Sequence, residues 1–301
     1  MITVVDAIST HALTKDYGQH HGIFDLDLEV HRGEAFGFIG PNGAGKTTTL
    51  RLLMDLIRPS HGTASVLGMD AQRDGVKIRR LTGYLPGESP EYPNHTGARI
   101  LDLLAHLRGG VDPKRISDLA ARFDLDLHRK YREYSHGNKQ KVWLIQAFMH
   151  DPELLILDEP TTGLDPLMQQ TFHTLVHEAL DRGATVFLSS HLLPEVQEIC
   201  NRIGVVYEGV LRKVGTLEQL RIGNVHRVDA TLETHIAPQR IAGLAGVSDV
   251  SVTDHRVHCT ITGGMAPLIA VLQPATILAL DSAEMSLEEV FLSQYGQPPQ
   301  P

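Results

Sequence analysis

Apolar and acidic positions alternate from Ile23 to Val30 ("IFDLDLEV"), the period-two pattern of a strand buried on one face, within a β-rich stretch over 1–34. The next segment, "EAFGFIG" (34–40), is apolar on both faces, as befits a strand in the middle of a covered sheet. The period then lengthens. Leu50, Leu53, Met54 and Ile57 recur at helical spacing, and Pro59 is placed to stop that helix. "ARILDLLAHL" and "RISDLAARFDL" predict two amphipathic helices within 95–130. "ELLILDEP" (153–160) is a continuous apolar run ending in two carboxylates and a proline. "DPLMQQTFHTLVHEALDRG" (165–183) predicts a helix with Asp165 as N-cap, Pro166 at its first position and Gly183 at its end. "ATVFLSSH" (184–191) reads as a buried strand with a polar end. Strands alternating with helices predict an α/β fold on a mainly parallel sheet.

Past about residue 222 the pattern changes. "VHRVDATL", "PQRIAGLAG", "VSDVSVT", "RVHCTIT", "APLIAVLQ" and "ATILAL" follow as strand, helix, strand, strand, helix and strand. That is the ferredoxin-like order. "SLEEVFLSQYG" reads as a closing helix with an acidic solvated face, before a Pro/Gln tail. The expected division is therefore a domain over 1–222, with a helical subdomain over about 88–150, a small α+β accessory domain over 223–296, and a disordered tail at 297–301.

Composition narrows the function classes. Hydrophobic content of 42% and charged content of 21% are those of a soluble globular chain. A net charge of −9 argues against a general nucleic-acid binder. Cys200 and Cys259 are the only cysteines and have no paired spacing, which suits a reducing compartment. The N-terminus has no signal-peptide layout, and no run approaches about 18 apolar residues, so a membrane role would need a second polypeptide.

The chemistry gathers at strand ends. "GPNGAGKT" (40–47) fits G-x-x-x-x-G-K-[ST] between a buried strand and a helix. Its glycines let backbone N–H groups wrap phosphates, and the helix N-terminus adds positive potential. Lys46 would reach the outer phosphates of a nucleotide, and Thr47 would ligate Mg²⁺. Asp158-Glu159 and Ser189-Ser190-His191 end two further apolar strands, at the edge where open parallel sheets bind ligands. Asp158 suits the magnesium shell through water, and Glu159 is placed to polarise an attacking water. His191 alone would be an ordinary helix-start histidine; among these strand ends it reads as a γ-phosphate contact. In "YSHGNKQKVWLIQAFM" (134–149), Ser135 is an expected N-cap and Gly137 allows close approach. Lys139 and Lys141 are expected in its first turn, where they oppose the helix dipole, as at an end that faces an anion or at a plain solvated start. His255, His258 and Cys259 invite a metal reading, but His255 and His258 would point to opposite faces of a strand.

In this order the motifs resemble the ATP-binding subunit of an ABC (ATP-binding cassette) transporter over about residues 1–220. "GPNGAGKT" is similar to the Walker A motif, with Gly40, Pro41, Asn42, Gly43, Ala44, Gly45, Lys46, Thr47 and Thr48 on the nucleotide phosphates. "LLILDEP" resembles Walker B with its catalytic Glu159, and His191 the switch histidine. Tyr17 in "KDYG" matches the aromatic that stacks on adenine, otherwise an ordinary loop tyrosine. "YSHGNKQK" resembles the LSGGQ signature and "GLDP" (163–166) the D-loop. The C-terminal piece looks like the extension of single-cassette, drug-resistance-type exporters.

The resemblance implies an ATP- and Mg²⁺-dependent ATPase of P-loop NTPase fold on the inner face of the cell membrane. Its implied partners are a separate transmembrane permease subunit and a second ATP-binding subunit, as a homodimer, with no nucleic acid. Ser135 and Gly137 would then act on the partner's nucleotide, with Asn138 and Asp165 also among the nucleotide-binding residues. The alternative, a soluble ABC ATPase of translation or chromosome maintenance, fits less well. Those members carry two cassettes or a long inserted coiled coil.

The signature departs from the family at His136 and Asn138. A second departure lies in "LTGYLPGESPEYP" (81–93), where the family's magnesium-contacting glutamine is replaced by Gly87. Either water fills that place in the Mg²⁺ shell or Glu88 swings in as a carboxylate ligand.

Overall fold

A computed structural model describes residues 6–220 and 225–284. The closing helix and the tail expected after Glu284 lie outside the described residues. The chain divides into two compact units at Thr216/Leu217.

The first unit opens with β1 (Asp6–Asp16), β2 (Gly22–His31) and β3 (Ala35–Ile39), runs into α1 (Lys46–Leu53), and returns as β4 (His61–Val66) and β5 (Met69–Asp70). Then come α2 (Gly75–Leu81), β6 (Thr82–Leu85), α3 (Gly97–Leu107), α4 (Pro113–Arg122) and α5 (His136–Phe148). It closes with β7 (Leu154–Asp158), α6 (Pro166–Asp181), β8 (Thr185–Ser190), α7 (Leu193–Ile199), β9 (Arg202–Tyr207) and β10 (Val210–Gly215).

Two sheets result. β2-β1-β4-β5 is antiparallel. β10-β9-β3-β8-β7-β6 is parallel except for β10 at one edge. Every residue of β3, β7 and β8 is buried, which is why these strands read as unbroken apolar runs. The core joins the two sheets around α1 through residues such as Ile8, Leu26, Phe38, Leu50, Leu53, Ile156 and Phe187. Phe36 stacks on Phe187 at 5.8 Å, tying neighbouring strands, and burying each such ring contributes about 1.5–3 kcal/mol.

Register decides what this core presents. Ile39 pairs with Ser190, Asp158 with Ser189, and Leu85 with Leu157. The carboxyl ends of β3, β8, β7 and β6 therefore lie side by side, followed by Gly40, His191, Glu159 and Pro86-Gly87. Sheet order brings together four segments spread over some 150 residues of sequence.

Local rules hold at several ends. Thr96, Asp112 and Asp165 cap α3, α4 and α6, each accepting a backbone N–H, and Gly183 follows α6 at φ 87°. One expectation fails: α1 ends at Leu53, well before Pro59, and Ile57 lies beyond it. Asp55 takes φ 53°, its N–H bonds to Leu52 O at 3.2 Å, and Leu56 N–H bonds to Arg51 O at 2.9 Å. This is a Schellman closure built on aspartate in place of glycine. Its signal is hidden in a stretch whose apolar spacing continues past the stop.

The second unit holds α8 (Leu217–Leu220), β11 (Val225–Leu232), α9 (Pro238–Ala242), β12 (Val247–Thr253), β13 (Arg256–Thr262), α10 (Ala266–Leu272) and β14 (Ile277–Glu284). From β11 onward the elements follow as strand, helix, strand, strand, helix and strand. Its antiparallel sheet runs β12-β13-β11-β14, over a core that includes Val228, Val257, Cys259, Ile261 and Leu268. Cys259 faces this core, whereas neighbouring His258 is on the other face with Nδ1 2.8 Å from Asp229 Oδ1. His255 precedes the strand.

Candidate nucleotide site

The turn between β3 and α1 builds the first wall. Gly43 and Gly45 take φ 82° and 102°, and Gly45 is the N-cap of α1. The left-handed backbone turns the chain sharply into the helix, a conformation that side chains resist. The first-turn N–H groups of Lys46, Thr47 and Thr48 have no intrahelical acceptors, while Thr49 N–H bonds back to Gly45 O at 2.9 Å. These donors and the positive end of α1 face a cavity of about 340 Å³. It is lined by Tyr17, His21, Gly22, residues 42–48 and Glu159. Gly40 and Pro41 contribute differently: their carbonyl oxygens accept from Lys46 Nζ at 2.7 and 3.2 Å.

Opposite the turn, two carboxylates divide the polar work. Asp158 is fully buried, its Oδ2 accepting from Thr47 Oγ1 at 2.7 Å and its Oδ1 from Ser189 Oγ at 2.5 Å. A hydroxyl and a carboxylate in contact are the hard oxygen donors that Mg²⁺ uses. Glu159, at φ 49°, turns its side chain into the cavity. Its Oε1 lies 3.3 Å from Lys46 Nζ and its Oε2 lies 2.7 Å from His191 Nδ1. One carboxylate thus receives the phosphate-loop lysine on one oxygen and the strand-end histidine on the other. Burial, then the Asp158 charge, pushes the Tyr84 phenol up to about 12, so it is a neutral neighbour of this acidic edge.

Gly87 stands where a side chain has no room. A Cβ there would lie 2.8 Å from Asp158 Oδ2 and 3.1 Å from Asp158 Cγ. Glu88 is not drawn inward: its side chain is 92% exposed, and its nearest cation is Arg51 at 3.9 Å. It is outside the Thr47–Asp158 pair.

The segment from Ser135 forms a separate cluster that does not line the cavity. Ser135 Oγ caps α5 by accepting Asn138 N–H at 3.2 Å. A Cβ on Gly137 would lie 2.4 Å from Gly163 O, and one on Gly163 would meet the His136 ring at 2.5 Å. The start of α5 and the loop before α6 are in backbone contact, with the His136 imidazole filling the remaining space. Asp165 Oδ1 is committed to Met168 N–H at 3.0 Å.

The two lysines correct the expectation of an uncompensated helix start. Lys139 pairs with Glu91 at 2.8 Å and lies over the Tyr131 ring, and Lys141 falls in the second turn, where it is buried. Long side chains fold back on acidic and aromatic neighbours that only tertiary contact supplies.

Sequence reasoning placed Ser189 at this edge without its bond to Asp158, and missed His21 and Gly22 on the cavity wall and Gln140, whose Nε2 donates to Pro160 O at 3.1 Å. The polar end of "ATVFLSS" was the signal for Ser189; the others follow from packing.

A family model described as ABC transporter matches residues 23–162. The probable multidrug ABC transporter ATP-binding protein YbhF of Escherichia coli is 36% identical over 77% of this chain, which spans only 40% of that relative's length. The daunorubicin resistance ATP-binding protein DrrA3 of Streptomyces coeruleorubidus is 36% identical over 96% of both chains. A solved ATP-binding subunit of an ABC transporter is 31% identical, covers 71% of this chain and 92% of its own, and superposes with a TM-score of 0.67.

Proposed function

This chain belongs to the ABC transporter family of ATP-binding proteins, and from that premise we propose that it binds ATP with Mg²⁺ and hydrolyses the ATP to power a membrane exporter. The observation that carries the reading is the convergence of Lys46 and His191 on the two oxygens of Glu159, beside the Thr47–Asp158 pair. In this reading the α1 N-terminus and Lys46 hold the phosphates, and Tyr17 on the cavity wall takes the adenine face. Glu159 polarises water for attack on the γ-phosphorus, and His191 donates toward the γ-phosphate as negative charge develops. Thr47 and Asp158 would hold Mg²⁺, whose charge neutralises the phosphate oxygens. Gly87 has no side chain to offer, and with Glu88 exposed, water would fill that place in the Mg²⁺ shell.

Ser135, Gly137, Asn138 and Asp165 stand apart from the cavity of their own chain. Their place supports a head-to-tail pair of cassettes, in which this cluster meets the partner subunit's nucleotide. A homodimer is the simplest such pair. No helix among the described residues is long and apolar enough to cross a membrane. In this reading a separate permease subunit carries the transport path and holds this subunit on the cytoplasmic face. The relatives' names, multidrug transport and daunorubicin resistance, favour export over a soluble role in translation or chromosome maintenance.

Purification from detergent-solubilised membranes tests the assignment: a co-purifying membrane protein is expected. Recovery with ribosomes and no membrane protein would overturn it.

A further inference from the structure

The hydrolytic reading leaves one buried carboxyl group beside the site without a task. Glu195 is in the first turn of α7, directly after the His191 turn, and is 7% exposed. Its Oε2 accepts from Ser190 Oγ at 2.5 Å. That same Ser190 oxygen accepts Leu192 N–H at 2.9 Å, so the carboxyl and hydroxyl groups together close the turn that presents His191. Thr161, a buried residue two positions after Glu159 at the start of the loop leading to α6, helps to offset the cost of burying this carboxyl group. Glu195 Oε1 is buried without a hydrogen-bond partner among the described residues.

Burying a carboxyl group with one oxygen unpaired costs stability, and the nearby Glu159 carboxylate adds repulsion. An apolar side chain would pack there at lower cost. What Glu195 supplies in return is geometric. It anchors Ser190, the residue before His191, and the His191 imidazole meets Glu159 at 2.7 Å.

We propose that Glu195 is a positioning residue for hydrolysis, acting through Ser190 to hold the His191 imidazole in register with Glu159. The proposal rests on the ATPase reading above. Its test is therefore designed to separate the two.

Three variants of the full chain are compared, Glu195→Gln, Glu195→Leu and Ser190→Ala. Gln retains an acceptor for Ser190, whereas Leu and the serine deletion remove the link. The first readout is the imidazole nitrogen resonances of His191 in labelled protein, assigned with His191→Gln; it requires no catalysis. Leu and Ala are expected to shift these resonances and their titration midpoint, and Gln to retain the wild-type spectrum.

The second readout is turnover per folded molecule with the membrane partner. It should fall by about tenfold or more in Glu195→Leu and Ser190→Ala, with nucleotide affinity within about twofold of wild type, and recover in Glu195→Gln. Wild-type His191 resonances in both Glu195→Leu and Ser190→Ala would overturn the positioning role, even if the chain proves to be an ATPase. Shifted resonances in a wild-type chain that hydrolyses no ATP would instead refute the hydrolytic reading and leave the Glu195–His191 linkage standing. Should Glu195→Leu fail to fold, Ser190→Ala decides alone.

Discussion

Replacing Gly87 by alanine asks whether close approach, and not loss of a ligand, explains glycine at this strand end. The added Cβ would lie 2.8 Å from Asp158 Oδ2, well inside van der Waals contact. In an open site the carboxylate would swing aside at little cost. Here it is fully buried and fixed by Thr47 Oγ1 at 2.7 Å and Ser189 Oγ at 2.5 Å, so relief must stretch one of these bonds or push the 86–88 loop outward.

Overpacking of this kind costs about 1–3 kcal/mol. Gly87 lies on an exposed loop that can yield, which favours the low end. Carried by the metal site, that is roughly a tenfold loss of Mg²⁺ affinity at about 1.4 kcal/mol per decade. The assay is ATPase activity of the assembled transporter titrated with Mg²⁺ at fixed ATP, with nucleotide binding measured separately in chelator. Gly87→Ala should raise the half-saturating Mg²⁺ about tenfold and leave metal-free nucleotide binding unchanged. Glu88→Ala, at a side chain 92% exposed, should titrate as wild type. A wild-type titration for Gly87→Ala, or a weakened one for Glu88→Ala, would refute the reasoning.

Four further outcomes follow from the same contacts. Glu159→Gln keeps the shape but removes the charge between Lys46 and His191; ATP-trapped dimers on gel filtration are expected, and normal hydrolysis would remove Glu159 as the base. Gly137→Ala sets a Cβ 2.4 Å from a backbone carbonyl, which cannot rotate away, so assembled-transporter ATPase should collapse, and Gly137→Asp should do the same. Ser135→Ala loses the α5 cap, about 1 kcal/mol in urea unfolding followed by the single Trp143, and should suppress ATPase by more than that cap accounts for. Burial holds the Glu195 carboxyl up at about 6, against 4.5 for an ordinary one. The folded chain then keeps a proton that the unfolded chain has lost. That stability is complete below pH 4.5 and gone above about pH 6, a change of about 2 kcal/mol that Glu195→Gln should flatten.

What the sequence determined alone is whatever depends on neighbours in the chain. Glycines at 43 and 45, the lysine and threonine after them, and the capping residues Ser135 and Asp165 act within one turn of themselves, so their spacing states their geometry. Unbroken apolar runs likewise announced β3, β7 and β8 as central strands. The end of α1 escaped because a Schellman closure on Asp55 leaves the apolar periodicity intact.

Only the tertiary structure decided which strand ends lie side by side, and thus that Asp158 answers to Thr47 and Ser189 while Glu159 answers to Lys46 and His191. It also reversed the reading of Lys139, whose charge is met by Glu91 from 48 residues earlier. Gly87 shows the division most plainly. In sequence it is the absence of a side chain; in the fold it is the space that a buried aspartate already fills. Distances between segments far apart in the chain are set by sheet register and core packing, and no local pattern encodes them.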